Sequence, residues 1–246
     1  MSERLPRAGQ PDDTGHWAPG PAQPRIAAGA AHVWRADLAT VGDELACALS
    51  AEERERAAGI LDERERARWQ RSRGVLRELL ARYTRDEAAA VELALGLNAK
   101  PQLADAEGQT PTLFFNLSHS GWLALYAFSA SSPLGIDVQV ARNRRADSAV
   151  DHIALARRAF GEHEAQRLSL VAPARREWEF LRAWVRYEAE LKRRGTGLGA
   201  ERGDREVSGT DPSQAPAIVE LDVGPEAAAA LALSDRASEL RRWDFA

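Results

Sequence analysis

Trp178-Glu179-Phe180-Leu181-Arg182-Ala183-Trp184-Val185-Arg186-Tyr187-Glu188-Ala189-Glu190-Leu191-Lys192 reads as a helix with an acid set into its apolar stripe. Trp178, Leu181, Trp184, Val185 and Leu191 recur at helical spacing and mark one face. Glu188 falls within that stripe, four residues after Trp184 and three before Leu191. A carboxylate pressed toward a core is costly unless a cation or a strong donor meets it. Lys192, one turn on, shares that side of the helix, so a structural ion pair is one way to satisfy both groups.

A second acid lies upstream, in Leu134-Gly135-Ile136-Asp137-Val138-Gln139-Val140. Ile136, Val138 and Val140 alternate with Asp137 and Gln139, the period of a half-buried strand. Asp137 and Gln139 therefore share a face. Together with Glu188 they offer oxygen ligands suited to a hard, octahedral cation such as magnesium, with water or phosphate completing the shell. A strand with a polar outer face accounts for the same alternation, and for the strand alone that is the simpler account.

Working outward, residues 1–24 are rich in Pro, Gly and polar residues and are expected to be a disordered lead-in. A strand is expected around His32–Ala36, and Ser50 with Glu53 reads as a capping box opening a charged helix. A longer helix covers Asp62 to Tyr83, with Trp69, Leu76, Leu79, Leu80 and Tyr83 on its buried side. Strands follow at Val91–Leu95, Leu113–Leu117, Leu123–Phe128 and around Asp137, then a helix at Val150–Phe160 before the Trp178–Lys192 helix. Gly195-Thr196-Gly197-Leu198-Gly199 follows a helix and not a strand, so glycine C-capping explains it better than a phosphate loop. Ala200–Pro216 reads as an exposed loop, Ala217–Val223 and Leu240–Phe245 as strands, and Ala227–Leu233 as helix or strand. Strands in two groups, each with helices between, indicate an α+β fold.

The chain has 246 residues, enough for one sizeable domain or two small ones, and 44% of them are apolar. Its one cysteine, Cys47, excludes an internal disulfide and a multi-cysteine zinc site, which suits a reducing cytoplasm. No apolar run approaches ~18 residues and the N-terminus has no apolar signal segment, so neither membrane nor export is expected. A formal charge of −4 argues against a general nucleic-acid binder.

Phe115-Asn116-Leu117-Ser118-His119-Ser120-Gly121 puts polar residues directly after an apolar strand. A hydrolase reading, with Ser118 or Ser120 as nucleophile and His119 as base, fails because G-x-S-x-G is absent and adjacent strand residues do not face each other. A phosphate-binding turn and a plain hairpin turn both remain open. The arginines from Arg54 to Arg77 are interleaved with acids, the pattern of a solvated helix face. Lys100, between Ala99 and Pro101, sits in a turn and is a candidate for a ligand contact.

The order and spacing of these pieces resemble the 4′-phosphopantetheinyl transferases, and among them the single-chain type that activates surfactin synthetase. The resemblance rests on Asn116-Leu117-Ser118-His119-Ser120-Gly121, then Gly135-Ile136-Asp137, then Trp184-x-x-x-Glu188-Ala189-x-x-Lys192 followed by Gly195-x-Gly197-Leu198. Ala99-Lys100-Pro101, where the family usually has Gly-Lys-Pro, and the Arg68–Leu80 helix add to it. It covers roughly residues 32 to 245.

The resemblance implies a pseudo-dimer of two similar α+β halves, here 25–130 and 131–246, with coenzyme A and magnesium between them. It implies transfer of the phosphopantetheine arm of coenzyme A to a serine of an acyl or peptidyl carrier protein, by a monomer. Carried over by position, Asp137 and Glu188 become magnesium ligands, and Gln139 stands where many relatives have a third acid. Glu188 would take the proton of the incoming serine and Lys192 would meet the pyrophosphate. Ser118, His119 and Lys100 would contact phosphates of coenzyme A, with Arg54, Arg56 and Arg68 as further candidates. Two positions depart from the family pattern: Tyr187 precedes Glu188 where lysine is common, and Gln139 lowers the ligand charge by one. A non-catalytic relative that only binds coenzyme A and a metal-dependent nucleotide hydrolase are the competing expectations.

Overall fold

A computed structural model describes residues 15–95, 100–103, 113–141, 150–196 and 216–246 of the chain. In the first sheet, β2 (Ala30–Asp37) pairs antiparallel with β6 (Leu123–Ser129), and β6 pairs antiparallel with β5 (Phe114–Ser120). The chain between β2 and β5 forms α1 (Ala51–Ala58), α2 (Glu63–Thr84) and a short ribbon of β3 (Leu93–Leu95) and β4 (Pro101–Leu103). The second sheet has the same order: β7 (Leu134–Val140) pairs with β9 (Ala227–Leu233), and β9 with β8 (Ala217–Glu220), all antiparallel. Between β7 and β8 come α3 (His152–Phe160), α4 (Glu162–Ser169) and α5 (Pro173–Arg194). The last strand, β10 (Glu239–Asp244), leaves this sheet and pairs in parallel with β2 of the first.

Local chemistry sets the element ends. Ser50 and Glu53 close a capping box on α1, and the Asp62 carboxylate accepts the Arg64 and Glu65 N–H groups at the start of α2. α5 begins at Pro173, a turn earlier than the apolar stripe indicates, and stops at Gly195, whose φ of +72° makes it the left-handed C-cap expected for it. Gly197, Leu198 and the 200–215 segment lie outside the described residues. Gly121, at φ +56°, turns the two-residue hairpin between β5 and β6. Ala227–Leu233 is a strand, buried along its whole length between α5 and the first sheet, which is why no alternation marks it. Of the expected disordered lead-in, residues 15–24 carry β1 (Ala18–Pro19), paired with β10, and Trp17, whose indole N–H donates to the Asp222 carbonyl.

Each sheet has one face toward the other sheet and one toward a long helix. Val33, Leu125 and Ala127 meet Ile136, Val138 and Leu231 between the sheets. Trp34, Tyr126 and Phe128 pack against Leu76, Leu79 and Leu80 of α2. On the other side Ala228, Ala230 and Ala232 lie under Val185 and Ala189 of α5. These small side chains let α5 come very close to the sheet. A Cβ on Gly135 would stand 2.0 Å from the Ala189 carbonyl oxygen and 2.4 Å from the Arg193 nitrogen.

The sheets are also stitched along one edge. Alternate side chains of β5 accept alternate N–H groups of β7: Asn116 from Ile136 at 2.8 Å, Ser118 from Val138 at 3.4 Å, Ser120 from Val140 at 3.1 Å. The polar residues after Phe115 thus replace a neighbouring strand, satisfying donors that burial would otherwise leave unpaired. Among the described residues no helix is long and apolar enough to cross a membrane.

Candidate active site

Asp137 sits in mid-strand on β7 and is buried. Its Oδ1 accepts from the Ser118 hydroxyl at 2.8 Å and from the Lys192 ammonium at 2.7 Å. Lys192 also donates to Ser118 Oγ at 3.0 Å and to the Ile136 carbonyl at 3.2 Å. The other oxygen, Oδ2, has only the Gln139 amide nitrogen among the described residues, at 3.4 Å. Lys192 therefore pairs with Asp137 and not with Glu188 one turn before it.

Glu188 is left buried, and its Oε1 has no hydrogen-bond partner among the described residues. Burial raises its pKa above the usual carboxylate range and the negative charge of Asp137 adds to this, with Lys192 pulling in the opposite direction. An unpaired acid beside another acid is a poor structural element and a good cation site. No group of three His, Cys, Asp or Glu among the described residues would hold a metal. The site offers two carboxylates and the Gln139 amide; a magnesium ion held by these would need water or phosphate for the rest of its shell.

Beside the acids is a cavity of about 300 Å³ whose walls include Trp69, Arg73, Pro101, Ser118, His119 and Lys192. It abuts a larger one of about 540 Å³ that shares Trp69, Arg73 and Pro101. Burial lowers the pKa of His119; Glu65 opposes this, and Lys192, Arg73 and Arg68 lower it further. Arg73 was not singled out from the sequence. It is half-buried on α2, has no carboxylate within salt-bridge reach among the described residues, and lies 5.3 Å from the Trp69 ring. The available signal was its place one turn after Trp69, on the side of α2 that meets the sheet.

The other basic candidates separate. Arg56 lines the larger cavity, 5.9 Å from the Trp69 ring. Arg54 donates to the Leu49 carbonyl and Arg68 pairs with Glu65 at 2.6 Å; neither lines the two cavities. Lys100 donates to the Leu134 carbonyl at 3.2 Å and the Lys192 carbonyl at 2.8 Å, tying β4 to the end of α5. Burial and the charges of Lys192 and Arg193 bring its pKa down to about 8.

No protein-family model matches the chain. It is 30% identical over 238 residues to the 4′-phosphopantetheinyl transferase HetI of Nostoc sp. (strain PCC 7120 / SAG 25.82 / UTEX 2576), an alignment covering 93% of this chain and 98% of HetI. The chain belongs to the 4′-phosphopantetheinyl transferases. It is also 31% identical over 150 residues, 61% of its length, to slr0495 of Synechocystis sp. (strain ATCC 27184 / PCC 6803 / Kazusa), a candidate 4′-phosphopantetheinyl transferase of which the alignment covers 58%.

Tyr187, next to Glu188, packs between two helices. The ring packs edge-on to Phe160, centroids 5.4 Å apart, and tilted against Trp184 at 6.5 Å, joining α3 to α5. This 4′-phosphopantetheinyl transferase uses the position for helix packing, on the side of α5 that meets α3.

Proposed function

We propose that the chain transfers the 4′-phosphopantetheine group of coenzyme A to a serine hydroxyl of an acyl or peptidyl carrier protein, releasing adenosine 3′,5′-bisphosphate. The observation that carries this is the pair Asp137 and Glu188, with a buried oxygen that has no partner among the described residues, joined through Ser118 and Lys192 to a cavity also walled by Arg73 and His119. Full-length similarity to HetI supports the same reading. Within the family we assign the chain to the single-chain, surfactin-synthetase-activating type, acting as a holo-carrier-protein synthase in the cytoplasm.

Asp137, Glu188 and Gln139, by its amide oxygen or through water, would hold magnesium. When bound, that ion neutralises charge on the pyrophosphate as its P–O bond breaks. Glu188 accepts the serine proton, a role its raised pKa favours by making the carboxylate more basic. Lys192 turns from Asp137 to the departing bisphosphate, where an ammonium stabilises developing negative charge. Arg73 and His119 donate to phosphate oxygens, and the adjoining cavity, with Arg56 at its wall, gives the nucleotide room. Lys100 holds the end of α5 in place.

The matching strand orders, β2-β6-β5 and β7-β9-β8, each spanned by a 22-residue helix, support a pseudo-dimer of halves 25–130 and 131–246. β10 then crosses back to the first half. Because both halves lie in one chain, the site is complete in a monomer.

Intact-mass analysis of an apo carrier protein incubated with the chain, coenzyme A and magnesium tests the proposal. A gain of one phosphopantetheine, lost with EDTA and with Glu188→Ala, is the expected result. No gain across fatty-acid, polyketide and peptide carriers, with coenzyme A still bound, would overturn it in favour of a non-catalytic coenzyme A-binding relative.

A further inference from the structure

Arginines crowd the corner where α1 meets α2, and several are engaged by the protein itself. Arg77 meets Glu53 and two backbone carbonyls, Arg71 meets Asp43, and Arg54 the Leu49 carbonyl. Arg56 of α1 and Arg73 of α2 are different. Among the described residues neither guanidinium has a hydrogen bond or an ion pair. What both meet is the Trp69 ring, their Cζ atoms 5.9 Å and 5.3 Å from its centroid. The negative face of an indole attracts a cation placed over it. One ring thus gathers two like charges from two helices.

The two charges feel each other. Burial lowers the pKa of Arg73; Glu53 and Tyr126 oppose this, and the nearby Arg56 and Arg77 lower it further. Of the acids on the larger cavity's wall, Glu53 is engaged by Arg77, Glu52 accepts from the Ser50 hydroxyl, and Glu92 is exposed. An anion set between the two guanidiniums would relieve their repulsion. A phosphate monoester suits them, because its charge and acceptor oxygens match two planar donor forks.

Position selects which phosphate. Trp69, Arg73 and Pro101 wall both cavities, whereas Lys192 walls the smaller and Arg56 the larger. In the reaction proposed above the pyrophosphate lies with Lys192. The other phosphate of coenzyme A is the 3′-monoester that departs in the bisphosphate. Resting on that reading, we infer that Trp69 is a positioning residue: its ring holds Arg56 and Arg73 where the cavities join, so that both close on the 3′-phosphate. The ring thereby sets the preference for coenzyme A over its 3′-dephospho form.

Titration calorimetry with magnesium and without carrier protein tests this, using coenzyme A and 3′-dephospho-coenzyme A as probes. Wild type, Trp69→Leu and Trp69→Phe are compared, with thermal unfolding followed in parallel. Trp69→Leu should weaken coenzyme A binding about tenfold, the combined effect of two lost cation–ring contacts. Its affinity for the dephospho form should stay within about twofold of wild type. Trp69→Phe, which keeps an aromatic face, should retain most of the wild-type preference.

Equal loss for both probes in Trp69→Leu overturns the inference, since a ring that only packed against the nucleotide or the fold would act so. Unchanged coenzyme A affinity overturns it too, as does a Trp69→Phe variant no better than Trp69→Leu. Wild type binding the two probes equally would remove the 3′-phosphate from the two arginines. Wild type binding neither probe would instead overturn the proposed function, and the inference with it. If Trp69→Leu does not fold, Trp69→Met, whose flexible side chain fills irregular space, takes its place and must show the same loss of preference.

Discussion

α2 and α5 are both 22 residues long, and each covers three antiparallel strands, but they bury charge in opposite ways. On α2 the buried charge is Arg77. Its guanidinium meets Glu53 at 2.6 Å, the Val91 carbonyl at 2.8 Å and the Ala88 carbonyl at 3.2 Å. On α5 it is Glu188, with an oxygen that has no hydrogen-bond partner among the described residues. A buried charge whose partners all come from the protein is part of the scaffold; one left without a partner is a place for something else to bind. The helices also differ in what lies beneath them. Trp34, Tyr126 and Phe128 hold α2 off its sheet, whereas Gly135 and three alanines let α5 settle onto β7 and β9.

The largest effect belongs to Glu188→Gln. Carrier modification, followed by intact mass, should fall about 100- to 10,000-fold, the range for loss of a general base. The same change should stabilise the metal-free protein by about 1 kcal/mol at neutral pH. The sign follows from the raised pKa: the folded state favours the protonated carboxyl, so stability is greatest below the ordinary carboxylate pKa. It is lost as the pH rises through the raised value. A variant that is inactive but less stable would break the contrast between the helices.

Arg77→Met probes the other side of the comparison. It leaves half-buried Glu53 with the Ser50 N–H but without its cation, strands the Ala88 and Val91 carbonyls, and should cost about 3 kcal/mol in urea unfolding. The metal affinity of the folded fraction should be retained. Stability close to wild type would mean that Arg77 is not the scaffold charge described here. Gly135→Ala comes next, at about 1–3 kcal/mol for overpacking. Its added methyl meets backbone, so α5 must shift and carry Glu188 and Lys192 with it. Slower carrier modification at temperatures where the variant remains folded is the expected signature.

The smallest effect is one of pH, and it sharpens the view of the first core as fully satisfied. His32 is buried, its Nδ1 hydrogen-bonded to the Tyr83 hydroxyl at 2.8 Å, which also accepts from the Trp34 indole N–H at 2.9 Å. Burial, with a contribution from Arg241, lowers its pKa from 6.5 to about 4. The unfolded chain therefore binds a proton before the folded one does. The stability this gives is complete above pH 6.5 and is withdrawn as the pH falls toward about 4. Between pH 7 and pH 5.5 the loss from this residue should be about 1 kcal/mol, and His32→Phe should flatten that part of the urea-midpoint profile.

Sequence by itself determined the α+β class, most of the helices and strands, and the inward place of Glu188 on its helix, because periodicity is a property of the chain alone. A capping box at Ser50, a C-cap at Gly195 and an acid in an apolar stripe are local patterns, each with a local physical cause. Tertiary structure decided who meets whom. Lys192 chose Asp137 over Glu188, and Lys100 chose two backbone carbonyls. Arg73 emerged from a mixed-charge helix as a cavity wall, and the strand at Ala227–Leu233 was settled by being buried on both faces. These outcomes depend on distances between segments far apart in the chain, and side-chain identity along one segment does not encode which partner packing will bring within reach.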